Sequence, residues 1–120
     1  MSVGVLLISH LGVGAPLLAA ARRLMGALPL ASESYEVDWD SDAEAVLPAA
    51  SAALRKVDTG DGVLILVDLY GATPARVAER LSRLGTPAHR ISGLSLPMLM
   101  RVQNYPDQDL DELARTAAAG

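Results

Sequence analysis

Val3-Gly4-Val5-Leu6-Leu7-Ile8-Ser9-His10-Leu11-Gly12-Val13-Gly14-Ala15-Pro16 opens the chain and decides how the rest is read. The run from Val3 to Ile8 carries no charge, the pattern of a strand buried on both faces. It ends at an imidazole, His10. A glycine-containing turn follows, and Pro16 suits the first turn of a helix, where its missing N–H is not needed. A titratable group therefore sits where a parallel strand hands over to a helix N-terminus, the place where open α/β sheets bind ligands. The expectation from this stretch is that His10 is a nucleophile that accepts and passes on a phosphoryl group.

The chain has 120 residues, enough for one domain with one core. Hydrophobic residues make up 51% and aromatics 3%, with no Phe, so Leu, Val, Ile, Ala and Met must build that core. A formal net charge of -4 argues against a nucleic-acid binder, which needs a basic stripe. Cysteine is absent, which excludes disulfides, thiolate chemistry and Cys-based metal sites. The N-terminus lacks the basic region of a signal peptide, and no apolar stretch is long enough to span a bilayer. A soluble, cytoplasmic protein is expected.

The first helix is expected from about Gly14 to Ala27, with Leu17, Leu18, Ala21, Leu24, Met25 and Leu28 at helical spacing. Ser34 to Trp39 alternates, with Tyr35, Val37 and Trp39 on one face, and predicts an edge strand. Asp40 or Ser41 is expected to cap a second helix, with Glu44 completing a capping box and Pro48 as an internal irregularity. Val63 to Val67 is a second fully apolar strand, ending at Asp68. Thr73 reads as an N-cap and Pro74 as the first residue of a third helix. His89 to Leu94 predicts a fourth strand, Ser95 a short helix through about Gln103, and Asp107 or Asp109 the cap of a last helix.

Alternating strands and helices predict a three-layer α/β/α domain with a mainly parallel sheet. The two most apolar strands should be central, and right-handed crossovers then favour the order 2-1-3-4. The C-terminal ends of strands one and three flank the crevice at the switch point, and they carry His10 and Asp68. A carboxylate that accepts from one ring N–H fixes the imidazole tautomer and leaves the other nitrogen free to attack. Asp68 is the candidate for that role. Helix starts after Gly14 and Thr73 offer backbone N–H donors to phosphate oxygens, the Thr73 hydroxyl adds another, and Gly12, Gly14 and Gly71 allow close approach. No basic residue lies in either loop.

Arg22, Arg23, Arg76, Arg80 and Arg83 read as solvated helix faces, and His89 as a surface residue. Met98, Leu99 and Met100 fit the core, slightly favoured, or a docking patch beside the crevice; Leu11, Met98 and Leu99 are the docking candidates. Gly12-Val13-Gly14-Ala15-Pro16-Leu17 matches only the first two glycines of a dinucleotide fingerprint, and two distant histidines give no metal pattern. No metal and no cofactor are expected.

Ile8-Ser9-His10 with its turn, Val67-Asp68-Leu69-Tyr70-Gly71-Ala72-Thr73-Pro74, and Ser92-Gly93-Leu94-Ser95-Leu96-Pro97-Met98-Leu99 occur in an order that resembles one family. That family is the mannose-type (mannose/fructose/sorbose) enzyme IIA domains of the bacterial phosphoenolpyruvate-dependent sugar phosphotransferase system. The resemblance covers nearly the whole chain and implies one phosphocarrier domain over residues 1–120. It implies that His10 takes a phosphoryl group from phospho-HPr and gives it to a histidine on an enzyme IIB. By the same match Asp68 orients His10, while Thr73 and the turn before it, with Tyr70 and Gly71, contact the phosphate. Leu11 stands where many members carry Gly, and Tyr70, Ala72 and Thr73 replace the family's Trp, Gly and Ser. Members often end in a strand exchanged between two subunits. This chain stops at Gly120, before such a strand is expected, which leaves a homodimer open. Three other readings stay open: a regulatory module switched by phosphorylation of His10, a related carrier subunit serving a dihydroxyacetone kinase, and a small nucleotide-binding domain, against which the broken glycine fingerprint argues.

Overall fold

Residues 4–8 and 63–67 are buried throughout, and the molecule is layered around them. The computed structural model describes residues 2–119. Its elements run β1 (Gly4–His10), α1 (Gly14–Met25), β2 (Ser32–Val37), α2 (Ala43–Val57), β3 (Val63–Val67), α3 (Thr73–Leu81), β4 (Ala88–Ser92), α4 (Leu96–Gln103) and α5 (Leu110–Ala118). The four strands pair in parallel in the order β2-β1-β3-β4, as expected for two central apolar strands.

Strand alternation divides the core into two halves. Val5, Leu7, Leu64 and Leu66 point to one face and pack with Leu18 and Ala21 of α1, Leu99 and Val102 of α4, and Leu113 and Ala117 of α5. Leu6, Ile8, Val63, Ile65 and Val67 point to the other and meet Ala50, Leu54 and Val57 of α2 and Val77, Ala78 and Leu81 of α3. Gly4 lies against the end of α2: a Cβ there would lie 2.1 Å from the Val57 carbonyl oxygen, so only glycine fits.

The expected elements are present, with shifted ends. β2 spans Ser32–Val37, so Trp39 lies beyond it, in a turn. α2 starts at Ala43 with Asp42 as N-cap and no side-chain cap bond. Ser41 therefore stands too early and Glu44 one position too soon for the expected capping box; Glu44 instead pairs with Arg80 of α3. Pro48 lies inside an α2 that runs unbroken. Thr73 is the first helical residue of α3, and Ala72 rather than Thr73 is its N-cap. Asp109 caps α5 in a complete capping box with Glu112, and Ser95 caps α4 by accepting from the Met98 N–H at 3.2 Å.

Gln103, fully buried at the end of α4, is a polar tie that the apolar patterning did not reveal. Its Oε1 accepts from the Leu30 N–H at 3.0 Å, and its Nε2 donates to Ser32 Oγ at 2.9 Å. This clamps the loop that feeds β2. Gln103→Leu keeps the volume but leaves the Leu30 N–H buried without an acceptor, and should lower unfolding stability by about 1–3 kcal/mol in a urea titration. An unchanged midpoint would show that the clamp is dispensable.

Candidate functional site

The pairing of β1 with β3 brings Ile8 opposite Val67, so His10 and Asp68 emerge together from the C-terminal end of the sheet. Asp68 Oδ2 accepts from the His10 backbone N–H at 2.9 Å and lies 2.8 Å from His10 Nδ1. The two side chains are only 15% and 10% exposed. An ionised carboxylate can only accept, so a neutral ring that faces one at this distance holds its proton on Nδ1 and its lone pair on Nε2. Hydrogen bonds to a charged group contribute about 1.5–3 kcal/mol each. Among the described residues, Asp68 Oδ1 is buried without a hydrogen-bond partner.

The turn after β1 is closed by its own side chains. Ser9 Oγ accepts from the Gly14 N–H at 2.8 Å and donates to the His10 carbonyl at 2.9 Å. Glu36 Oε2 takes the Ala15 N–H at 2.9 Å, and Pro16 has none to give. The start of α1 is therefore satisfied internally. The Gly14 N–H, expected to contact phosphate, is here donated to Ser9. A Cβ on Gly14 would lie 2.7 Å from Ser34 Oγ, so glycine is needed there for packing. Gly12 bends the turn at φ +89°, with open space where a side chain would be.

The turn after β3 is different. Gly71 has φ +84°, again with open space beside it. α3 starts without a side-chain cap, and since Pro74 has no N–H, Thr73 and Ala75 carry the N–H groups of its first turn, at the positive end of its dipole. Arg76, on the exposed side of α3, reaches back to donate to Thr73 Oγ1 at 3.0 Å, which leaves the Thr73 O–H free to donate elsewhere. A groove of about 550 Å³ runs from Tyr70 and Gly71 past Arg76 and Arg80 to Arg90.

Of the docking candidates, Leu11 lies on the surface and Leu99 in the core, the reading slightly favoured for it. Leu99 is fully buried and Met98 is half-buried against the same core, because α4 turns that face toward the sheet. Neither forms an open docking surface. Leu11 is exposed as expected, and it is joined by Leu69 and Tyr70, with Tyr70 at 85%. Trp39 was missed as a site residue. Its indole stacks on the His10 imidazole, with ring centroids 4.5 Å apart and an interplanar angle of 15°. Farther off, the Tyr35 phenol is pushed above its usual range by burial and then by the charge of Asp38. Among the described residues, no group of three or more His, Asp or Glu side chains is placed to hold a metal ion, and no helix is long and apolar enough to cross a membrane.

The family model EIIA-man, described as the PTS system fructose IIA component, matches residues 4–117. The PTS system mannose-specific EIIAB component of Escherichia coli (strain K12) is 31% identical over 124 residues, covering 98% of this chain and 36% of that protein. The chain thus spans about a third of the length of the curated relatives it matches end to end. Among solved structures, the mannose/sorbose specific IIA subunit from Enterococcus faecalis superposes with a TM-score of 0.86 at 24% identity, covering 99% of this chain and 89% of that one. The PTS IIA protein associated with the fucose utilization operon from Streptococcus pneumoniae gives 0.77 at 20% identity, covering 99% and 93%. At these identities the structural likeness speaks for the fold alone.

The tautomer can be read directly. In 15N NMR of the neutral ring, Nδ1 of His10 should carry the proton and Nε2 should show the shift of a bare nitrogen. Asp68→Ala should move the ring toward the Nε2–H form. A ring already in that form in the unaltered protein would contradict the assignment.

Proposed function

Because this chain belongs to the PTS system fructose IIA component family, and so to the phosphotransferases of that system, we propose that it is a phosphohistidine carrier with His10 as the acceptor. The observation that carries this reading is the 2.8 Å contact between His10 Nδ1 and Asp68, which directs the lone pair of Nε2 outward. The donor is phospho-HPr and the onward acceptor an enzyme IIB, and the cytoplasm is the compartment in which they meet.

The transfer needs no proton to move. Nε2 attacks phosphorus in line; the Nε2–P bond forms as the donor's bond to phosphorus breaks, and that electron pair returns to the donor. Nδ1 keeps its proton throughout. The ring becomes a cation against Asp68, whose charge lowers the cost of that state. The phosphoryl oxygens are received by the open N–H groups at the start of α3, the turn at Gly71 and Gly12, and the Thr73 hydroxyl. These donors are neutral. They stabilise a dianion through dipoles rather than ion pairs, which suits a carrier that must release its cargo. Exposed Leu11, Leu69 and Tyr70 give both partners an apolar surface around the nucleophile.

Incubation with phosphoenolpyruvate, enzyme I and HPr should give one phosphoryl group per chain, labile in acid and stable in base. His10→Ala should abolish it. Asp68→Asn should keep the fold by circular dichroism and slow transfer by about 10²–10⁴-fold. Equal labelling of the His10→Ala protein would overturn the assignment.

A further inference from the structure

Trp39 is the only tryptophan in the chain. It sits two residues beyond the end of β2, in a turn closed by the Ser41 N–H donating to the Asp38 carbonyl at 3.0 Å. The residue is 67% exposed, so it does little for the core. What its ring does touch is one face of the His10 imidazole, nearly parallel at 4.5 Å. His10 is thus held in two directions: Asp68 binds its Nδ1 in the ring plane, and the indole lies across its face.

The two states of His10 interact differently with that indole. A neutral imidazole gains an offset stack. An imidazole carrying positive charge gains the attraction of a cation for the negative face of the indole as well. In the reaction proposed above, Nε2 gains phosphorus while Nδ1 keeps its proton, so positive charge appears on the ring as the donor's bond breaks. An interaction that strengthens along this coordinate favours the product and the transition state over the starting ring.

We propose that Trp39 is a positioning residue for His10 that fixes the plane of the imidazole and stabilises its phosphorylated, cationic form, and so sets the equilibrium of phosphoryl exchange as well as its rate. The inference rests on His10 being the phosphoryl acceptor. It extends that reading to a side chain that touches neither partner's reacting atoms.

The test is the equilibrium of phosphoryl exchange with phospho-HPr, measured for the unaltered protein, Trp39→Phe and Trp39→Leu, with thermal unfolding followed in parallel. Trp39→Leu should shift the equilibrium about two- to fivefold toward phospho-HPr, with an unchanged melting temperature. Trp39→Phe, which keeps an aromatic face, should recover at least half of the shift. Tryptophan emission of the unaltered protein should differ between its free and phosphorylated forms, since the indole would then face a cation. An exchange equilibrium in Trp39→Leu equal to that of the unaltered protein would overturn the inference, as would a Trp39→Phe protein as impaired as Trp39→Leu. Failure of the unaltered protein to take up phosphate would instead remove the His10 reading, and this inference with it.

Discussion

One carboxylate oxygen organises the site. Asp68 Oδ2 receives both the backbone N–H and the ring Nδ1 of His10, at 2.9 and 2.8 Å. The first bond fixes where the chain of His10 runs, and the second fixes which ring nitrogen is bare. Neither would form if β1 and β3 were not neighbours in register, since the two residues lie 58 positions apart in the chain. The sheet therefore acts on the chemistry through a single shared atom. Core packing on both of its faces holds that register: a one-residue slip would turn Leu6 and Ile8 from the α2–α3 side to the α1–α4–α5 side.

The two loops beside this pair have the same kind of sequence but different roles. After β1, Ser9 and Glu36 occupy the first donors of α1, and Gly14 is packed beneath them. The loop is closed by these bonds, next to His10. After β3, α3 begins without a cap from its own side chains, and its only hydroxyl at that end, Thr73, is engaged by Arg76 from the far side. Side chains thus claim the first donors of α1 but not those of Thr73 and Ala75 in α3. In the proposed carrier role this division would hold the nucleophile through side-chain bonds and the cargo through neutral dipoles.

Much of this was legible before any coordinates. Two unbroken apolar runs identified the central strands, the alternation of elements gave the sheet order, and the topology placed His10 and Asp68 at one switch point. What was not legible depends on non-local partners: which polar group takes which donor, which helix face meets the sheet, and which residues the register brings side by side. Gly14 looked like a phosphate contact because a helix start usually leaves N–H groups free, and nothing in the local pattern showed that Ser9 and Glu36 would claim them. Leu99 could be read as core, slightly favoured, or as docking, because a short amphipathic helix does not reveal which side meets the sheet; its burial bears out the core reading. Trp39 carried a readable signal, since it continues the face of Tyr35 and Val37 past the strand end, and Val37 pairs with His10. Only the β1–β2 register shows that this face leads to the imidazole.

The central claim is that Asp68 leaves Nε2 as the reactive atom of His10. Its most direct test is a phosphorus–nitrogen coupling measurement on the phosphorylated, 15N-labelled protein. Coupling of the phosphorus to Nε2 of His10 is the expected result. Coupling to Nδ1, or to a nitrogen of His89, would contradict it.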